Sequence, residues 1–226
     1  FCAARWSAGG GWEIIGKTSQ QVRTIAFDGA DRVYFGGDFT SVTQTDGSSF
    51  GAAFLAWYDA STQAWADPSP ELEAGSFDYV ADVVADGSGG VYVAGRFTEL
   101  SDNSLFLSDV AAFDGSTWSA LGDGSSANTN GLAAPSLALA VDGTDLYVGG
   151  AFQEAYASDG SSIATNRVAR WDGSTWSALG DPSSTSTNGL SDLPFHLAIG
   201  PGGDVYAAGQ FEQGFQSDGT TVSARY

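Results

Sequence analysis

The residues with the means to do chemistry in this chain are mostly carboxylates. Asp46, Asp159 and Asp218 each stand in a Ser/Thr-Asp-Gly triplet, and Asp102, in SDNS, takes the matching place in the remaining repeat. Carboxylate and carbonyl oxygens on such loops could hold Ca²⁺. The same residues are also those of Asx turns, in which the side chain caps its own backbone. No EF-hand spacing accompanies them, and calcium is the only cofactor the sequence suggests. His196 is the sole histidine and Cys2 the sole cysteine. That excludes a multi-histidine metal site, a disulfide framework within the chain, and a triad built on any other histidine. No nucleophile elbow, phosphate-binding glycine loop or zinc motif occurs. Paired carboxylates of the kind that cleave glycosides stay open, because acids abound and pairing depends on distance.

Those residues are carried by repeats. RVARWDGSTWSALG (167–180) is nearly duplicated by DVAAFDGSTWSALG (109–122). Strands ending in Gly-Gly or Ala-Gly close on Phe39, Phe97, Phe152 and Phe211, and Trp12, Trp65, Trp118 and Trp176 follow a similar period. Units of this length suit a propeller blade of four strands better than a solenoid repeat. In each, an apolar run (such as VADVVAD, 80–86) meets a tight turn, then a strand such as VYVAGRF, a long polar connection, a third strand and a short fourth that starts at the tryptophan. Asp-Gly turns join the first strand to the second and the third to the fourth, glycine supplying the positive φ.

The expected fold is all-β: a propeller of four-stranded antiparallel blades, with about four blade units in one domain over residues 1–226. The units are roughly 1–16 (partial), 17–69, 70–122, 123–180 and 181–226 (partial). CAARW (2–6) and VSARY (222–226) both match RVARW, so Trp6 and Tyr226 are read as equivalent. This predicts a chain that overruns a four-blade ring, as an arc of a larger propeller or one completed by another segment or chain, with further blades after Tyr226. The alternative is a four-blade ring closed by pairing residues 2–6 with the last blade. Up-and-down connectivity puts the Asp-Gly turns on one face and the long polar connections on the other, where function tends to sit. Thr24, Asp82, Ala138 and His196 align in one column near that long-loop face, making Asp82 and His196 candidate ligand-binding residues beside Asp46, Asp159 and Asp218. The four fourth-strand tryptophans, recurring once per unit, are read as packing between blades.

The pattern of apolar strand, Gly-Gly strand, aromatic residue and later tryptophan resembles the kelch repeats of galactose-oxidase-like propellers. It is closer still to the "ArWdGstWsalG" propeller repeats of large bacterial surface proteins. The resemblance covers almost the whole chain and implies a propeller that binds protein or glycan. Galactose oxidase needs copper held by Tyr, His and a cross-linked Cys, which one histidine and one terminal cysteine do not supply.

Charge fits this reading. Eight Lys and Arg against 27 Asp and Glu leave a formal net charge of −19. Such a surface repels nucleic acid and anionic lipid, and no run is long and apolar enough for a membrane helix. The expectation is a secreted or cell-surface, non-enzymatic module that recognises protein or glycan through its long-loop face. The alternatives are a structural subunit packed among others in a surface assembly, and a carbohydrate-active enzyme using Asp/Glu.

Overall fold

The structure, a computed structural model, describes residues 1–73, 77–126, 130–181, 183–184 and 187–223. It is all-β. β1 (Cys2–Ser7) and β2 (Gly11–Thr18) make an N-terminal hairpin. The first complete blade starts with β3 (Val22–Phe27) and β4 (Arg32–Gly37); after a small hairpin of β5 (Ser41–Gln44) and β6 (Ser49–Gly51) come β7 (Leu55–Asp59) and β8 (Ala64–Ala66). β9 (Tyr79–Ala85), β10 (Val91–Arg96), β11 (Val110–Phe113) and β12 (Trp118–Ala120) form the second. β13 (Gly131–Leu132) leads into the third, which consists of β14 (Ser136–Asp142), β15 (Asp145–Gly150), β18 (Val168–Trp171) and β19 (Trp176–Ala178), with β16 (Glu154–Tyr156) and β17 (Ser162–Ala164) inserted. β20 (Pro194–Ile199), β21 (Val205–Gly209), β22 (Gln213–Phe215) and β23 (Thr221–Ser223) end the described chain. Each complete blade is an antiparallel meander in chain order.

The blades stand side by side with their first strands innermost: β3 lies against β9, β9 against β14 and β14 against β20. No comparable contact joins β20 to β3, so the arc is open. The core therefore lies between blades. One apolar cluster joins the first and second blades around Tyr34, Leu55, Val93 and Phe113. Another joins the second and third around Leu121, Val148, Trp171 and Trp176. A third holds the N-terminal hairpin to the first blade around Ile15, Phe35 and Trp65.

The glycine that ends each second strand has a steric cause. A Cβ on Gly37, Gly95, Gly150 or Gly209 would land on the carbonyl oxygen of Gln21, Tyr79, Pro135 or Leu193, respectively, at or just before the start of the adjoining first strand. The residue before it meets the next blade instead: a Cβ on Gly36 would strike Val80, and one on Gly149 would strike Pro194. Alanine stands there as Ala94 beside the smaller Ser136, whose Oγ accepts the Gly95 amide.

Three of the four period-marking tryptophans are buried: Trp65, Trp118 and Trp176. Each indole N–H donates to a carbonyl in or just after the last strand of the neighbouring blade: Ile15 for Trp65, Pro70 for Trp118 and Leu121 for Trp176. Trp12 departs from the expectation, being 76% exposed. Among the described residues its hairpin pairs with no first or second blade strand.

The register at the C-terminus also corrects the sequence reading. Val222 pairs with Gly214 as Ile163 pairs with Ala155. Thr221–Ser223 thus repeats the second strand of an inserted hairpin rather than a third blade strand. The equivalence of Tyr226 with Trp6 falls on 224–226, which lie outside the described residues. The four-blade closure is absent too: Ala3–Trp6 pair with β2, and neither β20 nor β21 pairs with them.

Candidate functional site

The long connections are not loose. In three units they carry the hairpins β5–β6, β16–β17 and β22–β23, and in the remaining one a Glu99–Phe106 bridge. The segment entering each blade adds a strand or bridge: Gly16–Thr18 on β5, Leu72 on Leu100, β13 on β16, and Leu190 on Gly214. A small sheet therefore roofs each unit on this face and fixes what lies beneath it.

Asp46, Asp102, Asp159 and Asp218 sit at the tips of these four structures. Each accepts the amide of the residue two positions on, Ser48, Ser104, Ser161 or Thr220. Asp46, Asp159 and Asp218 accept that residue's hydroxyl as well. These bonds to their own turns hold all four carboxyls below the ordinary range. The tips belong to separate units and bring the carboxylates to no common point. Among the described residues no three His, Cys, Asp or Glu side chains gather as a metal would require. The Asx turn is what these residues make.

Thr24, Asp82, Ala138 and His196 occupy one register position, opposite Gly36, Ala94, Gly149 and Ala208. Asp82 is a brace there. Its carboxylate accepts the Thr24 hydroxyl at 3.0 Å, the Val83 amide at 2.9 Å and the Leu139 amide at 2.9 Å, so it ties three successive inner strands. Desolvation pushes its pKa up, against those hydrogen bonds and the nearby His196. Asp82→Ala strands the Thr24 and Leu139 donors and is expected to cost about 1–3 kcal/mol of stability, measured by urea denaturation. His196 is exposed on β20, in the last inner strand.

A different cluster lines a cleft on this face. Between the first and second blades, a cavity of about 550 Å³ is lined by residues including Arg23, Asp38, Phe77, Asp78, Tyr79 and Arg96. Every first strand shifts register one residue before the shared column, a β-bulge that turns one side chain out of the ladder. That residue is Ala81, Leu137 or Phe195 in the other units and Arg23 here. Its guanidinium bonds the Asp38 carboxylate at 2.6 Å and lies over the Tyr79 ring, 4.6 Å from the centroid. Across the cleft Arg96 stands 3.8 Å from Asp78 and 5.9 Å from the centre of the Phe77 ring. Phe77 is 74% exposed. Burial raises the Tyr79 pKa, so its phenol stays protonated. The cleft offers two charge-compensated arginine–carboxylate pairs beside two aromatic rings, in a chain that is otherwise strongly acidic. Sequence reasoning passed over these residues, but the signal was present: Arg23, Asp38 and Arg96 stand where the repeats stop repeating.

No family model matches the chain, and no curated protein matches it. Among solved structures, a gluconolactonase from Xanthomonas campestris is similar, with a TM-score of 0.46 and 13% identity over 96% of this chain and 66% of that one. The extracellular domain of a putative hybrid two-component system from B. thetaiotaomicron is similar with a TM-score of 0.39 and 11% identity, over 87% of this chain and 27% of that one. This chain thus spans about two thirds of the first and about a quarter of the second. Its own four-stranded antiparallel blades, set edge-inward around an axis, define it as a β-propeller fold. Among the described residues no helix is long and apolar enough to cross a membrane.

Proposed function

We propose that this chain is a non-enzymatic binding module of a secreted or cell-surface protein, and that it recognises a saccharide in the cleft between its first two blades. The observation that carries the reading is the pairing of Arg23 with Asp38 and Tyr79, facing Arg96 with Asp78 and Phe77. A sugar presents apolar C–H faces to aromatic rings, and hydroxyls that both donate and accept. Compensated Arg–Asp pairs supply donors and acceptors in fixed geometry without a net charge to neutralise. The rigid roof of small hairpins keeps the cleft formed before a ligand arrives, which lowers the ordering cost of binding. The net charge of −19 and the repeat's likeness to those of bacterial surface proteins support an exterior location.

A glycan array probed with the wild-type chain is the test, with Arg23→Ala and Phe77→Ala as paired variants. Each is expected to weaken the array hit by at least about tenfold, the scale of a binding hot spot. Both side chains are substantially exposed, so melting temperatures should hold. An array without hits, or hits that survive both substitutions, would remove this reading.

A further inference from the structure

The seam between the second and third blades repeats the cleft of the first seam with different side chains. In each complete blade the residue just before the third strand takes positive φ, 66° at Phe54, 69° at Asp109 and 72° at Arg167. Its carbonyl accepts the amide of Gly37, Gly95 or Gly150, so the three positions are equivalent. Phe54 lines the first cleft, and Asp109 lines a cavity of about 160 Å³ at the second seam. The facing wall changes as well. Counted from the Tyr79 and Pro135 carbonyls that abut Gly95 and Gly150, Ala133 stands where Phe77 stands and Ala134 where Asp78 does. Counted from those glycines, Ala151 takes the place of Arg96. Ala133 borders both the Asp109 cavity and a neighbouring one of about 340 Å³, which Ala134, Ala151 and Gln153 also line. The second seam thus keeps the space of the first without the large side chains that narrow it.

Asp109 has bonding capacity left over. Its Oδ1 accepts the Phe97 amide at 3.2 Å, and its Oδ2 has no hydrogen-bond partner among the described residues. Burial pushes its pKa up to about 7, so in mildly acidic solution the carboxyl keeps its proton and presents an O–H donor that no acceptor meets. Polar groups in such places are normally paired, and a ligand oxygen would pair this one. Phe97 and Leu132, both buried, give the cavity an apolar wall, and Tyr156 borders it with its hydroxyl donated to Glu154 at 3.1 Å. The two clefts adjoin. Arg96 lines the first and the next residue, Phe97, lines the second, while the charges of Arg96 and Asp78 act on Asp109.

Resting on the saccharide reading above, we propose that the second seam is a further subsite and that the ligand is an uncharged oligosaccharide laid across Arg96. One unit lies among Arg23, Phe77 and Tyr79, and the next lies against Ala133 with an oxygen bonded to Asp109. Alanine at 133 leaves room for a sugar ring that a side chain as large as Phe77 would occupy. A carboxylate-bearing unit is disfavoured there, because Asp109 and Glu154 are close and the residues lining the second seam include no cation. Two adjoining subsites on one rigid scaffold bind a single chain more tightly than either binds one unit, since the second contact follows at high effective concentration.

The test is a glycan array, read in mildly acidic buffer, that carries each neutral sugar as a single unit and as linear chains of increasing length. For the sugar that binds the wild-type chain, apparent affinity is expected to rise by at least about tenfold from one unit to two or three and then level off. Ala133→Trp fills the second seam and is expected to abolish that gain. Ala133 is exposed, so its melting temperature should match the wild type. Phe77→Ala, in the first cleft, is expected to weaken every length. Affinity that does not change with length, or a gain that Ala133→Trp leaves in place, would overturn the second subsite while the first cleft's saccharide reading stands on the loss in Phe77→Ala. An array on which no length binds removes both.

Discussion

Trp176→Ala is expected to remove about 3–5 kcal/mol of folding stability, the range for truncating a large buried aromatic. The side chain is 2% exposed and packs at 5.2 Å between ring centroids against Trp171. Its cluster includes Val110 and Leu121 of the second blade with Leu146, Val148 and Ala169 of its own. Its indole N–H reaches across to the Leu121 carbonyl at 2.6 Å. The residue thus works at the seam between two blades, and its loss opens a cavity that backbone on both sides is too constrained to fill. Trp176→Phe keeps most of the apolar contact and loses the interblade hydrogen bond, so its expected cost is smaller, by a few kcal/mol. Urea denaturation of the two variants separates packing from hydrogen bonding. Trp12→Ala is the control: the same residue type at the same repeat position, 76% exposed, should cost almost nothing.

That contrast shows what the sequence could and could not convey. The repeat period, the four strands per unit and the Asp-Gly turns were legible because each depends on a few adjacent residues. Gly29, Gly87, Gly115, Gly143 and Gly173 all take positive φ in those turns. The second glycine of each Gly-Gly or Ala-Gly pair was legible for a similar reason, since the clash it avoids lies in the strand beside it. Trp12 was misread because its burial depends on a neighbouring half-blade that repeat matching counts as present. Val222 and Ser223 were read as the start of a third strand because similar letters outweighed the hairpin they belong to, and only the pairing of Val222 with Gly214 fixes their register. The long polar connections concealed their small sheets, since three-residue strands rich in Ser, Thr and Gly carry little hydrophobic alternation. Arg23 was overlooked because a bulge leaves no mark on composition. It shows only as one arginine where three other units carry Ala81, Leu137 and Phe195.

The stability of the chain is expected to fall between pH 4 and pH 7 through Asp109. This carboxyl lies at the seam of the second and third blades, where burial pushes its pKa from 3.8 up to about 7. The Phe97 amide bond to its Oδ1 and the charge of Arg96 act in the opposite direction without overcoming burial. In the unfolded chain the group releases its proton near pH 4; in the folded chain it keeps it until near pH 7. Across that window the folded state binds more protons, so each step up in pH favours unfolding, by at most about 1.4 kcal/mol per unit. The contribution is flat above pH 7 and vanishes below pH 4. The exposed turn carboxylates act elsewhere: Asp59, drawn down to about 2 by the Ser61 hydroxyl and the turn amides, titrates below this window. Asp109→Asn tests the assignment. Asparagine keeps an oxygen for the Phe97 amide, carries no charge at any pH and tolerates the backbone φ of 69° at this position. Thermal melts at pH 5 and pH 8 should show the wild type losing more stability than the variant over that interval, with the variant the more stable at pH 8. Parallel losses in the two proteins would mean that Asp109 is ionised in the folded chain throughout, and that the seam tolerates its charge.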